Sequence, residues 1–479
     1  MARPAALTPL TDRRFAWFFT GRMISTSGSV MAPIAVSFAV LDVWGTPTAV
    51  GQVLAARSIP LVLFLLVGGV VADRLPRTTV LVVSHLASFA TQGAAALLVI
   101  SGRATLTQLI VLEALNGVMT AFTMPAIQGL VPQVVDRRYL QQANALLAFG
   151  RSGLAVLGPA LAGLIVVTAG PGWALAIDAL TWLLAGICMM FVRVPRLVAT
   201  EHYSMLASLS SGWAVFRSYQ WLWSIVLACG ILNAIHAGAW MTMGPAMAVQ
   251  ESGIGQTGWG FAVSAEAVGL LLFTVVMMRA RVGHPLRMGM IAMLGLALPL
   301  FALGAGAPLA LLLVTAFVAG AGIQVFMISW HTAIHENIPE RYQSRVAAYD
   351  ALGSFVAMPV GQLAIGPVAA VAGERSTLIG SGLLFVTVVL AALAVPAVRG
   401  LRRGDPPSGS PPADSPPADS PPADSPPADA LAAGSRVEAS EHPLPDRAPD
   451  RRSEAGRPGH PMVHRFSSAG RRGEDRRNH

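Results

Sequence analysis

Twelve apolar stretches, each long enough to cross a bilayer, follow one another along this chain with little polar sequence between them, and that spacing leaves few folds open. A helix rises about 1.5 Å per residue and the hydrocarbon core is about 30 Å thick, so about twenty apolar residues make one crossing. The runs lie near residues 15–41, 50–72, 79–100, 105–128, 142–168, 173–192, 221–249, 257–280, 287–305, 308–331, 345–372 and 376–399. Only 12% of the residues are charged and 54% are hydrophobic, with mean hydropathy +0.59, too few charges to coat a soluble surface. The pattern predicts an all-α integral membrane protein of twelve transmembrane helices.

Arginine in short loops stays on the cytoplasmic side of a membrane. The N-terminus and the even-numbered connections carry fifteen arginines, among them Arg3, Arg13, Arg74, Arg77, Arg137, Arg138, Arg279 and Arg341, whereas the opposite loops carry only Arg103 and Arg375. The bias never breaks register, which predicts cytoplasmic termini. Tryptophan, which favours the headgroup level, marks both edges: Trp17, Trp221, Trp223 and Trp330 at inner ends, Trp44, Trp173 and Trp259 at outer ends. The first run is too long for a cleavable signal peptide and is expected to stay as an anchor. The net charge of +8 sits in inner loops and tail, where topology demands it, so no nucleic-acid partner is inferred. Cys188 and Cys229 both fall inside spans, leaving neither a disulfide framework nor a four-ligand zinc site.

The spans divide into two sets of six. Residues 1–14 form a cytoplasmic N-terminus, 15–198 a first six-helix bundle, 199–219 a cytoplasmic linker, 220–400 a second bundle and 401–479 a tail. In the linker Leu206, Leu209, Trp213 and Phe216 recur at helical spacing, as in an amphipathic helix lying on the inner surface. A shift of 203 residues pairs Arg138-Tyr139 with Arg341-Tyr342, Ala145 with Ala348, Gly158 with Gly361 and Gly163 with Gly366. Internal duplication of this kind is a mark of transporter folds and predicts two pseudo-symmetric halves. The tail, with Pro-Pro-Ala-Asp-Ser repeats from Pro411 and then arginine-rich sequence, lacks the apolar content of a packed core and is expected to be disordered.

Charged residues inside the spans carry the most information about function. Arg22, Arg57, Glu113, Arg151, Asp178, Glu266 and Asp350 all lie several residues from the nearest span end. At roughly 3 kcal/mol each, seven charges facing lipid would cost about 20 kcal/mol, so they must pair or line a watery pathway. Glu113 and Glu266 sit nearest mid-membrane; Asp178 sits close to an outer end and reads as structural. Polar neighbours extend the stripes: Glu113, Asn116, Thr120 and Thr123; Arg22, Thr26, Ser29 and Pro33; Asn233, His236 and Trp240. Ser84, His85, Ser88, Thr91 and Gln92 form a similar stripe with neither carboxylate nor arginine, and such stripes also arise from plain helix–helix hydrogen bonding.

His331, His335 and Glu336 place two imidazoles at helical spacing, but not in the zinc-protease order and with no third ligand apparent. No Gly-x-Ser-x-Gly elbow or phosphate-binding Gly-Lys-Ser/Thr loop occurs. The expectation is therefore no enzyme, no metal and no cofactor.

The loop after the second span reads Gly69-Val-Val-Ala-Asp73-Arg74-Leu-Pro76-Arg77 and resembles the signature loop of the major facilitator superfamily, Gly-x-x-x-Asp-Arg-x-Gly-Arg, with Pro76 where glycine is usual. Pro125-Ala126, Ala143-Asn144-Ala145, Gly158-Pro159 with Gly163, and Ile177-Asp178-Ala179 are similar to the bacterial exporter branch that includes multidrug, macrolide and enterobactin efflux proteins. The resemblance, over residues 10–400, implies the two-bundle fold in a bacterial cytoplasmic membrane. It further implies that Asp73, Arg74 and Arg77 latch the halves on the inner side in an outward-facing state, and that Gly158, Pro159 and Gly163 match the helix 5 motif of antiporters. The chain departs from one pattern: where many proton-coupled antiporters carry an arginine four residues before the helix 4 glycine, Glu113 precedes Gly117.

These readings combine into an alternating-access carrier, a monomer, that exports a small amphipathic molecule in exchange for protons. Its pathway is formed by Glu113, Glu266, Arg22, Arg57, Asn116, Arg151, His236 and Asp350. An importer or lipid flippase of the same fold, or a transport-inactive sensor, is the alternative.

Overall fold

The computed structural model describes residues 5–194, 213, 215–250, 254–280 and 283–402. Twelve helices are long and apolar enough to cross a membrane: α1 (Arg13–Trp44), α2 (Pro47–Arg74), α3 (Arg77–Ile100), α4 (Leu106–Val134), α5 (Leu140–Ala169), α6 (Pro171–Met190), α7 (Gln220–Gln250), α8 (Gly255–Arg279), α9 (Pro285–Gly304), α10 (Leu309–Asn337), α11 (Glu340–Ala372) and α12 (Glu374–Ala394). Helices suit this solvent because each satisfies its backbone polar groups internally. Most of the linker, with Leu206 and Leu209, and the tail from residue 403 lie outside the described residues.

Local sequence sets where the helices start. Pro47 opens α2 behind Thr46, whose hydroxyl accepts the Ala49 N–H, and Thr105 with Gln108 forms a reciprocal capping box at α4. Gly45 at φ 67° ends α1 in the left-handed region that glycine tolerates. Two helices are irregular. In α7 the turn His236–Met243 is a π-helix, with the Thr242 hydroxyl donating to the Ala237 carbonyl at 2.8 Å, and α9 is interrupted by a 3-10 turn at Leu294–Leu296. α10 runs on to Asn337, so His331, His335 and Glu336 lie on the helix itself.

Helices α1–α6 pack into one bundle and α7–α12 into another. One apolar core joins residues of both, among them Phe38, Val50, Val166, Trp240, Trp259 and Ile365, all toward the end away from the termini. Toward the terminal end the cores are separate: Phe15, Leu81, Leu130 and Met189 in the first bundle, Leu222, Met290, Trp330 and Val389 in the second. Leu63 and Val67 on α2, Phe149 on α5, Met278 on α8 and Phe355 on α11 are exposed there. The halves thus meet at the far end and diverge toward the termini.

The seam is built twice over, by symmetry. Gly51 of α2 lies against the Gln362 carbonyl of α11, and Gly260 of α8 lies against the Pro159 carbonyl of α5. Gly366 of α11 abuts Thr48, and Gly163 of α5 abuts Thr257. A Cβ at any of these glycines would meet backbone, so α2–α11 and α5–α8 approach as closely as they do because side chains are missing. The reciprocity gives the Gly163/Gly366 correspondence a physical role, and the same holds for Gly158 and Gly361. The first lies against Val30 and the second against the Ala234 carbonyl, inside their own bundles.

Candidate functional site

Each bundle carries a buried carboxylate on a helix that crosses its neighbour at a glycine. Gly117 of α4 lies against the backbone of Arg57 on α2, and Gly320 of α10 lies against the backbone of Glu266 on α8. Arg57 and Glu266 therefore hold related positions in the two halves, held at close helix crossings where position is sharply defined.

In the first bundle the Glu113 carboxylate is 3% exposed. Its Oε2 lies 3.8 Å from Arg57 Nη1, and its Oε1 accepts the Gln92 Nε2–H at 3.1 Å. Asn116, one turn along α4, donates from Nδ2 to Thr91 Oγ1 at 3.5 Å. Arg57 thus reaches across the bundle from α2 and offsets the charge of Glu113, as a buried carboxylate requires. Gln92 and Thr91 belong to the α3 stripe that had neither carboxylate nor arginine; its missing counter-ions are contributed by α4 and α2.

Asp178 departs from its expected location. Its carboxylate is 1% exposed, packed against Gly28 of α1 and interacting electrostatically with Arg57 and Glu113. Both Asp178 and Glu113 stand seven residues from the far-end starts of their helices, so they lie at one depth. The span-end reading failed because α1, α3 and α6 pack tightly there and keep water from a level that the sequence alone places near the surface.

In the second bundle Glu266 Oε2 accepts the Trp240 indole N–H at 2.7 Å, while Oε1 lies 3.8 Å from His236 Nε2. The Trp240 ring packs on Trp259 with centroids 4.6 Å apart. A cavity of about 10 Å³ lined by His236, Trp240, Glu266 and apolar residues of α9, α10 and α12 adjoins the carboxylate, room for about one water molecule. His236 and Trp240, one turn apart, both lie in the π-helical turn and both reach the carboxylate.

The remaining expected residues are dispersed. Asp350 on α11 is half-buried and accepts the Trp330 indole N–H at 3.0 Å, well toward the terminal end. Arg22 on α1 is half-buried and Arg151 on α5 exposed; they are near enough for their like charges to interact, and among the described residues neither meets a carboxylate within ion-pair distance. The Thr26 hydroxyl donates to the Arg22 carbonyl at 2.7 Å, so it serves its own helix. In the signature loop Arg77 donates to the Gly129 carbonyl of α4, bracing the α2–α3 turn within its own bundle. Arg74 is exposed, Gly69 has open space around it, and the Asp73 side chain lies outside the described residues. Gly158, Pro159 and Gly163 lie on the closed seam or beside it, away from both carboxylates. His331 and His335 stack at 6.5 Å, and among the described residues no group of three His, Cys, Asp or Glu side chains is arranged to hold a metal.

Comparison with known proteins places this geometry. A relative in Bacillus subtilis strain 168, the uncharacterized MFS-type transporter YvqJ, is 20% identical over 59% of this chain and 68% of its own length. The multidrug efflux pump Tap of Mycobacterium tuberculosis H37Rv is 23% identical over 79% of this chain and 92% of its own. Among solved structures, the nucleoside transporter NupG superposes with TM-score 0.63 at 15% identity, covering 80% of this chain and 98% of that one. A bacterial homologue of the iron transporter ferroportin in an inward-facing state superposes with TM-score 0.62 at 19% identity, covering 79% and 98%. The family model for the transmembrane secretion effector, an MFS family, matches residues 4–407. The chain accordingly belongs to that family of major facilitator transporters, and is a multi-pass membrane transporter of the bacterial plasma membrane that moves a small molecule.

Proposed function

We propose that this protein is an exporter of small amphipathic molecules, driven by inward proton movement, with both termini in the cytoplasm. The observation that carries the reading is the pairing of two buried carboxylates, Glu113 with Arg57 and Glu266 with His236, one in each of two bundles whose shared core, among the described residues, lies at their far ends. With arginine-rich loops inside, the divergent ends face the cytoplasm and admit substrate there. Rocking of the bundles about the glycine seam would close that side and open the other. A buried carboxylate that takes up a proton loses its hold on a neighbouring cation, and this changes what the pathway attracts. The direction is supported by the helix 5 resemblance and by the multidrug efflux pump Tap.

The test is ethidium efflux from vesicles with an imposed pH gradient. Glu113→Gln and Glu266→Gln are each expected to abolish gradient-driven efflux while inserting normally; normal pumping by both would remove these residues from proton coupling. Counterflow in inverted vesicles fixes the direction.

A further inference from the structure

Several buried polar atoms in the first bundle have no hydrogen-bond partner, and they fall together. They are both carboxylate oxygens of Asp178, Gln92 Oε1, Asn116 Oδ1, Ser88 Oγ and the Trp182 indole N–H. The register of α3 against α6 follows from two contacts: Gly93 faces Ala179, and the His85 ring lies 5.2 Å from the Trp182 ring. These antiparallel pairings set Asp178 level with Gln92 and Trp182 level with Ser88. On the other side of α3, Gln92 already donates to Glu113 and Thr91 accepts from Asn116. Gln92 therefore holds Glu113 through its amide N–H and lies at the level of Asp178 across the α3–α6 contact, with its carbonyl oxygen lacking a hydrogen-bond partner.

Four of these atoms are oxygens that can only accept, and two, the Ser88 hydroxyl and the Trp182 N–H, carry a hydrogen, so acceptors outnumber donors. The Trp182 indole is directed at Asp178 without reaching hydrogen-bond geometry. Glu113 is held by a cation and an amide donor, as a charged carboxylate would be. Asp178 has no ion pair or hydrogen bond among the described residues and meets Arg57 only at longer range, so a charged carboxylate in that position would be desolvated with little in return.

We propose that Asp178 is the proton-carrying group of the first bundle, its O–H donating to Gln92 Oε1, while Glu113 is the fixed counter-ion of Arg57. The inference rests on the proton-coupled reading above and moves the proton within this bundle from Glu113 to its neighbour. In loading, a proton from the outer aqueous side bonds to one Asp178 oxygen, the carboxylate becomes a neutral acid, and the new O–H fills the vacant Gln92 acceptor. In unloading, the proton passes to water on the inner side, leaving a carboxylate that draws on Arg57. The charged and titratable groups around it are Arg57 on α2, His85 on α3 and Glu113 on α4, with Arg22 on α1 next to His85 and Arg151 on α5 next to Arg22.

The full chain in proteoliposomes, with ethidium as probe, provides the test. Asp178→Asn places an amide where the neutral acid stands and can still donate to Gln92. Accumulation driven by a pH gradient is expected to fall to the level of protein-free vesicles, with ethidium exchange at equal pH retained. Wild-type accumulation by this variant overturns the proposal. A second measurement does not depend on transport. Infrared difference spectra of the wild type at neutral pH are expected to show a carboxylic-acid carbonyl band that Asp178→Asn removes and Gln92→Leu displaces. Identical acid bands in wild type and Asp178→Asn, or a band that Gln92→Leu leaves in place, overturn it, as does loss of the band on adding sodium at constant pH. If Asp178→Asn fails to insert, the Gln92→Leu spectrum decides. If the wild type shows no gradient-driven accumulation, the exporter reading fails by itself, and the spectra still settle the state of Asp178.

Discussion

Arg57 and Glu113 show how a membrane protein retains charge in its interior. The pair is 3.8 Å apart, and Gln92 completes the carboxylate's shell at 3.1 Å. Arg57→Gln leaves a buried carboxylate with one amide donor. It is expected to destabilise the purified protein by about 3 kcal/mol, the low end for breaking a buried pair because the arginine is partly wet. Arg57→Gln combined with Glu113→Gln is expected to recover most of that loss, and thermal unfolding in detergent measures both. Glu113 and Glu266 were legible in the sequence because a carboxylate far from either span end has no cheap alternative to a partner. Their partners were less so. Gln92 was visible only as a member of a stripe, and Asp178 read as a residue near the surface. Which side chains face each other depends on the rotation of each helix about its axis, and a run of apolar residues does not encode that rotation when several faces are polar.

Helix crossings decide how the halves can move. Gly51 and Gly260 each let a carbonyl of the other bundle approach where a Cβ would collide. Gly51→Val and Gly260→Val are expected to wedge the far end open, each reducing transport to background. Spin labels at Ser101 and Ala305, on far-end loops of the two bundles, are expected to report a longer distance in both variants; an unchanged distance would remove the seam from the mechanism. The turn between α2 and α3 presents a different case. Arg77 is committed to Gly129 within its own bundle, which stiffens the turn that carries Asp73. Asp73→Asn is expected to abolish transport with abundance in the membrane near that of wild type, and wild-type rates from this variant would remove the latch. Sequence marked Gly158, Gly163, Gly361 and Gly366 through their repetition at a constant shift, and the first two also through the helix 5 resemblance; Gly51 and Gly260 came to light only in the folded helices. That Gly163 and Gly366 face the opposite bundle while Gly158 and Gly361 pack within their own follows only from the assembled helices.

The two-bundle architecture turns local packing into a pathway. One core spans both bundles at the far end and two separate cores fill the terminal end, so the arrangement has a fixed side and a parted side. The twelve spans themselves account for the helices that do this. A chain ending at Arg403 is expected to insert and to move ethidium at the wild-type rate, checked by membrane fractionation and vesicle efflux; loss of insertion would give the tail a folding role.

Sequence alone determined the number of crossings, the helical class, the duplication and the depth of Glu113 and Glu266. All four follow from a fixed rise per residue and from the cost of placing polar groups in hydrocarbon. Tertiary structure alone decided that Arg57 of α2 faces Glu113 of α4, that Gln92 of α3 donates to Glu113, and that His236 and Trp240 both reach Glu266. Those pairings arise from helix rotation and close crossing at glycines, which are properties of surfaces in contact and of no single segment.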